Sequence, residues 1–163
     1  MPPERVSSWL AVNSVAVCLI ATVALAAEQP VPFSHKQHVA LGIKCKDCHA
    51  NPDPGESMGL PAASKCMACH VSIATEKPAI RKLKTFAGAI PWAPVFQIPS
   101  TIVFSHRAHL EAGVACDGCH AAVARSDALT PKDLNISMGT CMACHRKSRV
   151  SNDCKTCHQD LER

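Results

Sequence analysis

The pattern of apolar and polar positions divides the chain into short, unlike pieces. Residues 9–27, WLAVNSVAVCLIATVALAA, form a run of 19 residues without a charge. A Pro-bearing extended stretch, QPVP at 29–32, follows, and residues 51–61 hold too many turn formers for a helix. Residues 71–84 read as a helix with Arg81, Lys82 and Lys84 on a solvated face. Residues 88–103, GAIPWAPVFQIPSTIV, carry three Pro in an apolar series, which predicts an extended connector with Trp92 packed beneath it. The expected class is mostly α with much irregular structure, and at most a small ribbon pairing residues 30–33 with 101–104.

The N-terminal run has a competing pair of readings. Arg5 before it and Ala24-Leu25-Ala26 at its end describe an export signal over residues 1–27. About 20 apolar residues can also span a bilayer, so a retained membrane anchor is the alternative. Both readings put the rest of the chain in an exported, periplasmic compartment, where thiols oxidise unless committed to a ligand or a covalent bond.

The dominant internal feature is a repeat. Residues 33–49, FSHKQHVALGIKCKDCH, return 71 residues later as 104–120, FSHRAHLEAGVACDGCH. Each copy has two His three residues apart, then a Gly, then Cys-x-x-Cys-His, all in register. The motif recurs elsewhere, giving five sets: Cys45, Cys48 and His49; Cys66, Cys69 and His70; Cys116, Cys119 and His120; Cys141, Cys144 and His145; Cys154, Cys157 and His158. Cys18 stands apart, in the leading run. The chain thus divides into a leader (1–27), a first two-motif module (28–87), a connector (88–103) and a second module with a fifth motif added (104–163).

Composition sharpens this picture. Among 163 residues, 4% are aromatic and none is Tyr, thin material for a core, while 11 are Cys and 9 are His. Small domains so poor in core residues need cross-links or prosthetic groups. The net charge of +4 is scattered and lacks an aromatic platform, which argues against nucleic acid.

Cys-x-x-Cys-His is the pattern of covalent c-type haem attachment. Two thiols add to the porphyrin vinyl groups and the adjacent His meets the iron. Zinc ribbons need no His after each Cys pair, and local disulfides would leave five His unexplained. Five covalently attached haem c groups would supply the missing core, adding about ten propionate charges to the +4 polypeptide.

Five irons with two axial positions each need ten ligands. The motif histidines provide five, and His35, His38, His106 and His109 are the other four His of the chain. At i and i+3 on one helix, each pair can serve two different haems. Met is the usual substitute for the tenth ligand, and Met138 and Met58, both in Ser-Met-Gly, are the candidates, or neither binds. Met67 and Met142, inside their own motifs, are expected to pack.

FSHxxH followed by CxxCH resembles the class III multihaem cytochromes, the cytochrome c3 and c7 family, over about residues 29–160. The succession FSHKQH, LGIKCKDCH, GLPAASKCMACH, IPWAPVFQIP, VFSHRAHLEAGVACDGCH and SMGTCMACHR is similar to the multihaem subunit of alternative complex III and menaquinone reductase complexes. The resemblance assigns His35 to the His49 haem and His106 to the His120 haem, and sends His38 and His109 to other haems. It places a ligating Met at Met138. The family connector reads like IPWxxVHDLP, and Phe96 stands here at its His position. The Cys154 motif is more similar to small soluble c7-type proteins.

The resulting expectation is a periplasmic pentahaem electron-transfer protein, not an enzyme, working between redox proteins through mostly bis-His haems. The alternative is the haem subunit of a membrane-bound quinol-oxidising complex. A reductase of small oxyanions would need an open iron; multihaem nitrite reductases mark theirs with Cys-x-x-Cys-Lys, whereas all five motifs here end in His.

Overall fold

The computed structural model describes residues 28–134 and 136–158. The export signal or anchor expected at residues 1–27 lies outside them. Among the described residues there are eight short α-helices joined by irregular segments and two 3₁₀ turns, and no helix is long and apolar enough to cross a membrane.

Local chemistry sets the helix starts. In α1 (His35–Ala40) the Ser34 hydroxyl accepts the Gln37 N–H at 3.1 Å, and in α5 (His106–Glu111) Ser105 does the same for Ala108 at 3.2 Å. Both helices stop at the same place in the repeat, where Gly42 (φ +84°) and Gly113 (φ +79°) adopt the left-handed conformation. The motifs then ride on short helices: α2 (Cys45–Cys48), α3 (Ala63–His70), α6 (Asp117–His120), α7 (Met138–Ser148) and α8 (Cys154–Cys157).

Two expectations are corrected. Residues 71–84 do not form one helix: α4 is confined to Pro78–Leu83, with Pro78 in its first turn and Ala74 left-handed at φ 55°. Proline has no N–H for a preceding turn and pushes Lys77 out of the helical region, so it begins a helix here instead of continuing one. The ribbon between 30–33 and 101–104 is also absent among the described residues. Ile102 makes an isolated antiparallel bridge to His158, and the Val103 N–H donates to the Cys157 carbonyl at 2.8 Å. Pro30 and Pro32 lack donors for a ladder, and Ser34 leads straight into a helix cap.

Packing of the polypeptide on itself is sparse. Ala63, Ile80, Leu83 and Ile90 form a cluster joining α3, α4 and the connector, with Cys66, Met67, Phe86 and Trp92 against it. The Trp92 Nε1–H donates to the Pro61 carbonyl at 2.8 Å, and Gln29 exchanges two hydrogen bonds with Ala93. Val31 is the other buried apolar residue, whereas Leu41, Val71, Ile73 and Met138 are exposed.

Candidate haem centres

The repeat brings histidines together in twos. In α1, His35 at the first position faces His49 with ring centres 6.3 Å apart, and His38, one turn on, faces His70 at 6.2 Å. In α5, His106 faces His120 at 6.5 Å and His109 faces His145 at 6.2 Å. These gaps are too wide for van der Waals stacking. An imidazole nitrogen binds a metal at roughly 2 Å and lies roughly 1.1 Å from its own ring centre, so two imidazoles sharing one ion have centres about 6.2 Å apart. Each gap therefore has the width of one shared metal ion. Among the described residues no group of three or more His, Cys, Asp or Glu gathers at one point.

The second nitrogen of many of these rings is already committed. Nδ1 of His49 lies 2.9 Å from the Gly59 carbonyl, that of His70 2.9 Å from Ile73, and that of His145 2.9 Å from Ser151. Nδ1 of His38 meets the Ser34 carbonyl at 2.8 Å, that of His109 the Ser105 carbonyl at 2.7 Å, and that of His106 the Glu56 carbonyl at 2.7 Å. A carbonyl only accepts, so each Nδ1 carries the proton and Nε2 keeps its lone pair for a metal.

Phe33 and Phe104 explain the first letter of each repeat. The Phe33 ring meets His35 edge-on at 4.8 Å and lies over His38 at 4.4 Å, and Phe104 treats His106 and His109 alike at 4.8 and 4.7 Å. One phenyl thus orients two imidazoles. Phe96, at the connector position, packs against His120 at 5.8 Å.

Comparison with known proteins adds to this geometry. The class III cytochrome C family pattern matches residues 16–89, and the pattern for cytochrome c7 and related cytochrome c matches residues 102–159. The chain is 29% identical to the multihaem cytochrome c subunit of menaquinone reductase from Nitratidesulfovibrio vulgaris (strain Hildenborough), over 81% of this chain and 77% of that protein. The two patterns together take in most of the chain, and its likeness is to the multihaem class III cytochromes.

Members of the cytochrome c families carry covalently bound haem c, and the residues of this chain fit that group. The ten Cys among the described residues are exposed or half-exposed and form no disulfides. Burial raises the thiol pKa of Cys45, Cys48, Cys66 and Cys119 above the ordinary value, the opposite of the lowered thiols that drive disulfide exchange. Burial, then the neighbouring imidazoles, lowers the pKa of His35 and His120, which favours the neutral, metal-binding form.

The remaining site residues are placed differently. His158 ends α8 and is the ninth imidazole, left over from the four pairs. Met138 opens α7 and is 68% exposed, Met58 is half-buried in the loop before α3, and Met67 packs on the apolar cluster. The facing of His38 with His70 and of His109 with His145 has no sequence signal, since it depends on how distant helices lie. The carbonyls of Glu56, Gly59, Ile73 and Ser151 were equally invisible, because a backbone acceptor leaves no side-chain signature. The orienting role of Phe33 and Phe104 could have been found in their equivalence within the repeat.

Proposed function

We propose that the chain is an exported pentahaem c-type cytochrome that carries electrons between redox partners. The five haems attach at Cys45 and Cys48, Cys66 and Cys69, Cys116 and Cys119, Cys141 and Cys144, and Cys154 and Cys157. Four irons are held by His35 with His49, His38 with His70, His106 with His120, and His109 with His145. The observation that carries this is the spacing of four imidazole pairs at 6.2–6.5 Å, one metal ion wide. His158 holds the fifth iron, with Met138 as the tenth ligand.

Bound haem supplies a one-electron couple between ferrous and ferric iron, of low potential where both axial ligands are His. The chain's own residues do the rest. With two imidazoles at each paired site, a haem held there would have no open position for a substrate, so these sites would suit electron transfer and not the binding of oxyanions. Backbone carbonyls hold the tautomers of His38, His49, His70, His106, His109 and His145, and Phe33 and Phe104 fix ring direction, so little rearrangement accompanies a change of charge.

A second reading rests on the relative: a chain similar to a menaquinone reductase subunit serves as the haem subunit of a membrane quinone-linked complex. Intact mass with low-temperature electron paramagnetic resonance tests the haem assignment: five haems and at least four low-spin bis-His signals are expected, and fewer than five haems overturn it. Membrane fractionation with N-terminal sequencing separates the two settings. A soluble protein beginning near Ala27 or Glu28 supports the free carrier, and an intact start in the membrane fraction supports the complex.

A further inference from the structure

The two copies of the repeat dock on one another reciprocally. At the start of α1 the Lys36 N–H donates to the Ser126 carbonyl at 3.2 Å, Lys36 Nζ pairs with Asp127 at 3.4 Å, and Ser34 Oγ donates to Asp127 at 2.7 Å. At the start of α5 the equivalent of Lys36 is Arg107. Its N–H donates to the Gly55 carbonyl at 3.0 Å and its guanidinium pairs with Asp53 at 2.6 Å, while the His106 N–H donates to Glu56 at 3.4 Å. Each helix therefore sits on the loop that follows the other copy's motif. This is the isologous pattern of a two-fold dimer, realised within one chain.

Under a two-fold operator, equivalent residues meet each other only at the axis. Cys45 and Cys116 are equivalent, and their side chains are neighbours; His49 and His120 are equivalent, and they too are close enough to influence each other's charge. Away from the axis the neighbours differ but correspond: Cys48 is close to Cys66 and Cys69, and Cys119 to Cys141 and Cys144.

We propose that the chain is an internal two-fold dimer that orders its paired-histidine sites second, first, third, fourth, with Gly55, Arg107, Asp53, Lys36 and Asp127 as positioning residues for the central two. The proposal rests on the ligand pairs above and adds their order. Gly55 is the sharpest part of the contact. It is buried at φ +95°, and a Cβ there would lie 2.6 Å from the Arg107 Cβ, so any side chain wedges the two copies apart.

The test is a redox titration of the five-haem protein followed by NMR, reading how far each haem's midpoint shifts when a given neighbour is reduced. Shifts are expected for the first–second, first–third and third–fourth pairs, with none resolved for second–fourth. A first–third shift that is absent, or no larger than second–fourth, overturns the order. A protein with missing haems or high-spin signals at the paired sites instead sinks the ligand pairing on which the order rests. Gly55→Ala is expected to reduce the first–third shift at least twofold while first–second and third–fourth stay the same. An unchanged first–third shift removes Gly55 and Arg107 as positioning residues. If Gly55→Ala fails to assemble, Arg107→Gln gives the same readout, and the exchanged pair Asp53→Arg with Arg107→Asp is expected to restore the shift.

Discussion

Replacing His38 by Ala probes the least legible part of the ligand set. His38 stands on α1 and His70 on α3, so a metal shared between them closes a loop of roughly 33 residues, for which the chain-entropy relation gives about 3.7 kcal/mol. The His35–His49 link closes an interlaced segment of roughly 15 residues, worth about 3 kcal/mol on its own. The two loops share residues 38–49, so the first link already shortens the second loop; about 3.7 kcal/mol is an upper bound and a loss of about 2–3.5 kcal/mol is expected for His38→Ala. The first assay is denaturant unfolding of the holoprotein at fixed haem content. The second is spectroscopic: one haem of five should become high-spin while all five remain attached, because the Cys66, Cys69 and His70 attachment is untouched. A variant that keeps every haem low-spin and loses less than about 1 kcal/mol would refute the pairing of His38 with His70.

Met138→Ala should turn the fifth haem high-spin, or remove its His/Met signature from the near-infrared spectrum; an unchanged spectrum takes Met138 out of the ligand set. Phe96→Ala opens the apolar side of His120 to water, which favours the more highly charged ferric state, so the midpoint potential of that haem should fall in a redox titration. The Ser34 hydroxyl and then the Lys36 ammonium hold the Asp127 carboxyl below the usual carboxylate range. Its folded value is the lower one, so its contribution is present above the unfolded value and lost as pH falls through the folded value. Amide-exchange protection at the start of α1, relative to the intrinsic rate at each pH, should therefore fall in acid, and Asp127→Asn should flatten that dependence.

How far the sequence could be read follows from the range of each interaction. Cys-x-x-Cys-His is legible because its chemistry is confined to five consecutive residues, and the repeat is legible because copying preserves register. The ends of α1 and α5 were also within reach, since Ser34, Gly42, Ser105 and Gly113 act on backbone a few residues away. Residues 71–84 misled because Ile80 and Leu83 do fall on a helical face. Pro78 decided the matter by starting that helix late. The connector was read as extended because of its three Pro, yet its packing, with Trp92 on Pro61 and Phe96 on His120, depends on segments far away in sequence. Ile102 was expected, at most, in a small ribbon with residues 30–33, and it pairs with His158 because α8 returns there.

The scarcity of polypeptide core and the reciprocity of the repeat belong to one argument. Five buried apolar residues among those described cannot by themselves offset the entropy of ordering a chain of this size. Axial bonds can make up the difference only if they tie segments that are far apart. In the proposed ligand set the second His of each repeat would do this, since His38 and His109 face motifs beyond their own copy while His35 and His106 face the one within it. The Lys36–Asp127 and Arg107–Asp53 pairs then join the copies to each other, each of modest worth at the surface but acting beside backbone hydrogen bonds. The fifth motif falls outside this scheme. It is sewn to residues 102 and 103, just before Phe104, and its His158 has no counterpart in the first half of the chain. A haem attached there would therefore be free to differ in ligands and potential from haems at the four paired sites.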